Sequence, residues 1–404
     1  MSSSAGLPSS SERSDKRALV VEPGHTEACL AAVRALSAEG WHVGVAAPVR
    51  RGLAGASRAV SRTHLVTAAN EDMDDFIGGV NAAIATEGYE VVLPGSDADA
   101  LALSMRRDEL QACVPLGPHD SVLGSQDKLN LVRAARTANI ATPATVCADR
   151  WRDLPQRQIY VIKARVHSPL QADRGPRHIA GAIVERAGVE TAIERVKLAG
   201  GAPVVQEHVK GTLMSVAFVA DRSSRIVAAL QQISETTWPP NGGVATRAKS
   251  IPLDNELFER IQRLVSGLSW SGLAQLQFLV DPHRGPLLID FNGRFYLSLA
   301  LAEAVGQNLA AIWASLAVGI APPIQPSYCT GVRWQWLVGD LQRALRERRG
   351  GLIRDVTTTT RYPIGAVPST WDIHDAGPTM AKLGWLARRV YARIARYWAI
   401  AGSS

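Results

Sequence analysis

The stretch that most narrows what this chain can become is 273–306, LAQLQFLVDPHRGPLLIDFNGRFYLSLALAEAVG. Residues 273–280 alternate in a β-rich composition, 281–285 carry turn chemistry in Pro282 and Gly285, and 287–291 form a second apolar run, the pattern of a β-hairpin. Side chains alternate along a strand, so Gln275 and Gln277 share a face, as do Asp290 and Asn292. Pairing about the turn lets Gln277, Asp290 and Asn292 converge on one surface, with Arg294 just beyond. Carboxylate and carboxamide oxygens beside a guanidinium suit a divalent cation that bridges phosphate oxygens, because Mg²⁺ takes oxygen ligands and is held by few protein groups plus the substrate's phosphates. A surface turn with one ordinary ion pair is the competing reading of the same residues.

Upstream the pattern alternates. Strands are expected at 18–22, 43–47 and 90–93, and helices at 26–39 (stopped by Gly40), 74–86 and 97–106. Strands alternating with helices imply right-handed crossovers and a parallel sheet, hence a doubly wound N-terminal domain. Gly24 follows the first strand without a G-x-G-x-x-G, so a dinucleotide site is not supported. Ser96, Asp97 and Asp99 fall at the carboxyl end of a strand, where open α/β sheets bind ligands, although capping of the next helix accounts for Asp97 equally simply.

The middle reads as a helix over 127–138 with Asn139 as a left-handed stop, a strand ending near Lys163, a helix over 189–198, and a strand running into Glu207, His208 and Val209. A hairpin follows over 215–220 and 226–232. Gly242 and Gly243 then precede Arg247, an arrangement that can bring backbone and a guanidinium to an anion; an exposed hairpin turn is the alternative. Helices are expected at 255–267, capped by Asp254, and at 309–318.

The 404 residues suggest two or three domains. No apolar run reaches the roughly 18 to 20 residues that span a bilayer, and the Ser-rich stretch 1–16 lacks the apolar centre of a secretory signal. A disordered N-terminus and a cytoplasmic protein are expected. Cys29, Cys113, Cys147 and Cys329 lie far apart with no C-x-x-C, so neither a zinc ribbon nor a disulfide framework is indicated. Net charge is +7, but no dense Lys/Arg block with interleaved aromatics appears before the tail, so no nucleic-acid partner is expected.

Past 326 a Trp- and Arg-rich helical segment is expected over 331–351, then an irregular run with four successive threonines. In the final segment Leu383, Leu386, Val390, Ile394 and Trp398 recur near helical spacing, while Lys382, Arg389, Arg393 and Arg396 fall on another face. Such a helix either packs on its own domain or a partner, or lies peripherally on an anionic inner membrane surface.

"LLIDFNGR", with "QLQFLV" one hairpin arm earlier, resembles the metal-binding strands of ATP-grasp ligases, closest to the carbamoyl-phosphate-synthase-like carboxylate–amine ligases. The resemblance implies an α/β (α+β) ATP-grasp fold with an N-terminal doubly wound parallel-sheet domain, divided as 1–16 (tail), 17–119, 120–205, 206–325 and a C-terminal helical extension over 326–404. It further implies ATP and Mg²⁺ (or Mn²⁺), with Gln277, Asp290 and Asn292 as metal ligands and Arg294 stabilising the transferred phosphoryl group. Lys128 and Lys163 would reach nucleotide phosphates, Glu207, His208 and Val209 would meet adenine, and Arg247 would meet the acyl-phosphate or γ-phosphate. Two departures stand out. The segment 166–179, where the family has a glycine-rich flap, carries one Gly and two Pro, leaving Arg165 or Arg174 as substitutes, and Leu213 and Met214 occupy the place of the usual ribose-binding acid. The implied activity is activation of a small-molecule carboxylate as an acyl-phosphate and its coupling to an amine; the alternative is a degenerate ATP-binding protein with a regulatory or membrane-surface scaffold role. A homodimer is the general expectation for a homo-oligomer, which the sequence leaves open.

Overall fold

The computed structural model describes residues 16–166, 168–169, 178–240, 242–320 and 327–401, the side chains of 389, 390 and 392–401 excepted. The expected tail before Lys16, most of 166–179 and Arg174 within it lie outside these residues.

The first unit contains β1 (Arg17–Val21), α1 (Glu27–Ala38), β2 (His42–Ala47), β3 (Arg62–Leu65), α2 (Met73–Glu87), β4 (Val91–Pro94) and α3 (Asp97–Met105). Its four strands pair in parallel in the order β3-β2-β1-β4. Leu19 and Val20 of the central β1 are wholly buried, as expected where helices cover both faces of a parallel sheet. The chain winds outward from β1 to one side through β2 and β3, then crosses back to β4. That reversal opens a crevice at the carboxyl ends of β1 and β4. Thr26 caps α1 through Cys29 N and Ser96 caps α3 through Asp99 N, so both helix starts face this crevice.

Next come α4 (His119–Gln126), α5 (Lys128–Thr137), β5 (Thr145–Cys147), β6 (Ile159–Ala164), β7 (Ala182–Glu185), α6 (Val189–Leu198) and β8 (Pro203–Glu207). The strands make an antiparallel sheet, β5-β8-β6-β7, with its own small core around Tyr160, Ile162, Val189 and Val205. The remainder is β9 (Thr212–Ala220), β10 (Ile226–Trp238), β11 (Val244–Ile251), α7 (Asn255–Gly267), β12 (Gly272–Asp281), β13 (Gly285–Asn292), α8 (Leu299–Ala304), α9 (Leu309–Ala317), β14 (Arg333–Gln335), α10 (Leu337–Glu347), α11 (Leu352–Arg361), β15 (Ala366–Pro368) and α12 (Ala376–Ala401). Its seven-stranded sheet runs β13-β12-β9-β10-β11-β14-β15 and shares one hydrophobic core with the N-terminal unit.

The C-terminal part differs from expectation. Arg333–Gln335, expected to be helical, is a strand paired with β11, and the helix begins only at Leu337. The threonine run lies in α11, where Thr357, Thr358 and Thr360 turn their hydroxyls back onto the carbonyls of Ile353, Arg354 and Val356 at 2.6, 2.8 and 3.1 Å. Helix α12 docks on the N-terminal unit. Asp375, just before it, accepts from Ser57 Oγ at 2.6 Å and Arg58 N at 2.9 Å and pairs with Arg34, while Lys382 pairs with Glu27 at 2.9 Å. Among the described residues no helix is long and apolar enough to cross a membrane.

A buried charge network anchors α10 and α11 to β11. Fully buried Asp340 accepts from Arg247 Nε, Gln335 Nε2 and Arg343 Nε at 2.5, 2.6 and 2.7 Å, and Arg343 also pairs with Asp355 at 2.9 Å. Removing one partner of such a network strands the others in a low-dielectric interior. Asp340→Ala is therefore expected to destabilise the protein by about 3–5 kcal/mol, read as a lowered urea midpoint; a shift within error of wild type would refute the assignment.

Candidate active site

In the β12–β13 hairpin Gln277 stands opposite Asp290 and Gln275 opposite Asn292. Residues facing each other across antiparallel strands project to the same side, so all four point together. On the other flank β9 sets Ser215 opposite Gln277, and Ser215 Oγ accepts from Gln275 Nε2 at 3.3 Å. This face forms one wall of a cavity of about 1200 Å³, closed by the small antiparallel sheet and by the crevice of the N-terminal unit.

Gln277, Asp290, Asn292, Arg294, Lys163, Glu207, His208 and Val209 all line that cavity. Lys128, the first residue of α5, is not in the cavity lining; it is buried beside Asp290, its Nζ 2.5 Å from Oδ1. Asp127 caps the helix through Leu129 N and Asn130 N and is clamped by Arg165 at 2.8 Å. Burial raises the Asp127 carboxyl, but the Arg165 hydrogen bond and the two N–H donors outweigh it and hold the group below its ordinary range. Arg165 is thus committed to fixing Lys128.

Lys163 stands one residue before the end of β6, with Nζ 3.3 Å from the Ile289 carbonyl. Burial pushes its ammonium down to about 8, opposed by the Asp290 carboxylate and reinforced by Lys128. Asp290 Oδ1 also accepts from Phe291 N at 3.0 Å. Arg294 spans two units, donating to Asn292 Oδ1 and to the Phe295 carbonyl at 3.0 Å each and pairing with Asp97 at 3.3 Å. Glu207 is buried at the end of β8, where Arg284 and Arg157 approach its carboxylate at 3.1 and 3.5 Å. Burial and Lys210 push the neighbouring His208 imidazole down.

Arg247 is not brought to the site. Its place on β11 turns the guanidinium away from the cavity, onto Asp340 and Thr359 and over the Tyr362 ring at 4.4 Å. The glycines before it do reach the cavity: Gly243 packs on the Trp238 carbonyl so tightly that a Cβ would sit 2.0 Å from it. Sequence reasoning missed Glu22, Gln232 and Tyr296, which also line the cavity. Only Glu22 had a signal, its position at the end of the first strand.

No family model and no curated protein matches the sequence. Solved structures do match. N5-carboxyaminoimidazole synthetase from Staphylococcus aureus superposes with a TM-score of 0.61 at 10% identity, over 82% of this chain and 86% of that one. Biotin carboxylase from Campylobacter jejuni, in a βγ-ATP complex, gives 0.61 at 14% identity over 79% and 74%. L-amino acid ligase from Bacillus licheniformis gives 0.56 at 14% identity over 75% and 74%. The chain has an ATP-grasp fold.

Within the ATP-grasp cavity one carboxylate and two carboxamides, Asp290, Gln277 and Asn292, offer hard oxygen donors. Among the described residues no group of three or more His, Cys, Asp or Glu is arranged to hold a metal. This donor set fits a hard cation that takes its remaining ligands from phosphates and water, and Mg²⁺ is such an ion. The proximity of Lys163 to Asp290 has a checkable consequence. Nitrogen-detected NMR of the lysine amines should show Lys163 titrating near 8, and Asp290→Asn should move that titration lower, because the lost carboxylate had favoured the ammonium. An unmoved or raised value would show that the two groups do not interact.

Proposed function

We propose that this ATP-grasp protein is an ATP-dependent ligase that activates a small-molecule carboxylate as an acyl-phosphate and couples it to an amine, releasing ADP and phosphate. One observation carries the reading: Gln277, Asp290 and Asn292 share one face of the hairpin and line one cavity with Lys163 and Arg294, with Lys128 paired to Asp290. The structural neighbours, which include an L-amino acid ligase, a biotin carboxylase and an N5-carboxyaminoimidazole synthetase, lend support.

The substrate carboxylate oxygen attacks the γ-phosphorus as the bond to the β-bridging oxygen breaks and ADP departs. The amine nitrogen then attacks the acyl carbon; the C–N bond forms, the C–O bond to phosphate breaks, and nitrogen gives up a proton. Neither step needs a protein nucleophile, so positioning and charge neutralisation carry catalysis. Lys163, protonated below about 8, supplies positive charge to the phosphates. Lys128 does the same after exchanging its Asp290 partner for a phosphate oxygen. Mg²⁺ or Mn²⁺, held by Asp290, Asn292 and Gln277, would neutralise the phosphate oxygens. On this reading Arg294 would stabilise the transferred phosphoryl group, and Glu207, His208 and Val209 would meet the adenine.

The test is Mg²⁺-dependent ADP formation across pooled amino acids, polyamines and small carboxylates. Asp290→Ala and Asn292→Ala should each lower a stimulated rate by about 10²–10³ with unchanged far-UV circular dichroism. Failure to bind ATP overturns the reading; tight ATP binding with no stimulated turnover across widened pools favours the regulatory alternative, which Leu213 in place of a ribose acid already suggests.

Helix α12 supports peripheral contact with an anionic membrane. Met380, Leu383 and Tyr391, at helical spacing, are 66%, 55% and 75% exposed, and residues 376–401 carry one Lys, four Arg and no acid. Vesicles rich in phosphatidylglycerol should sediment the protein at low salt, and Leu383→Glu combined with Tyr391→Glu should abolish it; equal sedimentation by neutral vesicles sinks this contact.

A further inference from the structure

The geometry points to the N-terminal end of the cavity, where Glu22, Asp97 and Asp99 meet, as the subsite that receives the amine substrate in its protonated, primary ammonium form. This inference rests on the ligase reading and names the class of its nucleophile, an ammonium that gives up one proton to a neighbouring carboxylate to free its lone pair before attack and a second as the amide forms.

Glu22 follows β1, while Asp97 and Asp99 open α3 behind β4, so the three acids stand at the crevice where the parallel sheet reverses direction. Backbone donors fix Glu22: Oε1 accepts from Ala54 N at 3.1 Å and Thr26 N at 3.3 Å, the Leu53 and Gly55 amides also bear on the carboxyl, and Oε2, without a partner of its own, lies against Gly52. Asp99 sits in the capping turn of α3, where its N–H bonds Ser96 Oγ at 3.1 Å, and its Oδ2 is likewise unpartnered. Gln232 Oε1 and the Tyr296 hydroxyl, lining the same cavity, are also unsatisfied. All four side chains are more than nine-tenths buried.

Leaving a buried polar atom unmet costs about 1–3 kcal/mol, so unmet atoms gathered on one cavity indicate a ligand that supplies their partners. Three of the four are acceptors only, in the atoms concerned, which calls for a donor-rich group. An ammonium offers three N–H donors and no acceptor. A carboxylate or phosphate here would face three carboxyl groups. Arg294 does not reverse that sign, being held by Asp97, Asn292 and the Phe295 carbonyl. Burial pushes both Glu22 and Asp99 up to about 7, Asp97 adding to the rise at Asp99, as expected of carboxyls that lack a counter-ion. Arg294 also touches Asn292, so the ammonium would lie next to the predicted phosphoryl-transfer centre.

The experiment compares ethanolamine, putrescine and methylammonium with ethylene glycol and 1,4-butanediol as probes of the intact protein, by thermal shift and calorimetry, with binding of Mg²⁺ and a non-hydrolysable ATP analogue measured in parallel. At least one amine should raise Tm where the diols do not, and Asp99→Asn and Glu22→Gln should each weaken that amine at least tenfold while changing nucleotide affinity less than twofold. Equal protection by amines and diols, protection by none of the amines, or undiminished amine affinity in both folded variants overturns the proposal. Should either substitution unfold the protein, the amine–diol contrast in the wild type still decides. Amine binding without nucleotide binding would overturn the ligase reading and leave the ammonium subsite standing.

Discussion

Everything at the site depends on the register of β12 against β13. A slip of one residue would turn Gln277, Asp290 and Asn292 into the core and drive Leu276 and Phe291 into the cavity. The opposite face prevents it. Leu276, Phe278 and Phe291 are almost entirely buried, and the Phe291 ring meets Trp270 and Phe218 edge-on at 4.9 and 6.4 Å. At the turn Gly285 takes φ of +73°, while Asp281 Oδ1 accepts from His283 N and Arg284 N at 2.9 and 3.0 Å. Apolar packing on one side thus fixes polar chemistry on the other.

That face buries charge, and buried charge must be compensated. Asp290 is matched by Lys128, Asp97 by Arg294, and Asp127 by Arg165. The pairs tie three chain segments to the hairpin: the N-terminal unit through Asp97, the start of α5 through Lys128, and the small sheet through Arg165 and Lys163. A metal–nucleotide complex entering here brings both signs of charge, so it can exchange partners with Lys128 and Asp290 without leaving either uncompensated.

How much of this was legible in the sequence follows from which forces decided each element. The hairpin, α6 and α7 carry strong periodicity with local caps such as Asp254, and their positions could be read directly. Gln277, Asp290 and Asn292 were readable because strand alternation is a local rule. Arg247 was not, since the Gly-Gly-basic pattern says nothing of which side of β11 the arginine takes; Asp340, 93 residues away, decides that. The strand at Arg333–Gln335 has the same cause, because three residues become a strand only when β11 offers an edge. The threonine helix is stabilised by Asp355 and Thr359 meeting Arg343, long-range pairings invisible to propensity.

The wall beside the acidic corner is drawn from segments more than 300 residues apart. Glu27, in the first turn of α1, accepts from Trp336 Nε1 at 3.0 Å and pairs with Lys382 at 2.9 Å. His25 stacks on Trp385 at 5.6 Å, and burial together with Lys382 and Arg388 pushes its imidazole down. His25, Glu27 and Trp336 line the cavity, so α12 supports its rim although it lies outside the strands that carry Gln277, Asp290 and Asn292. If the acidic corner of Glu22, Asp97 and Asp99 receives the ammonium, α12 bears on it indirectly, by fixing Glu27 in the adjoining wall through Lys382.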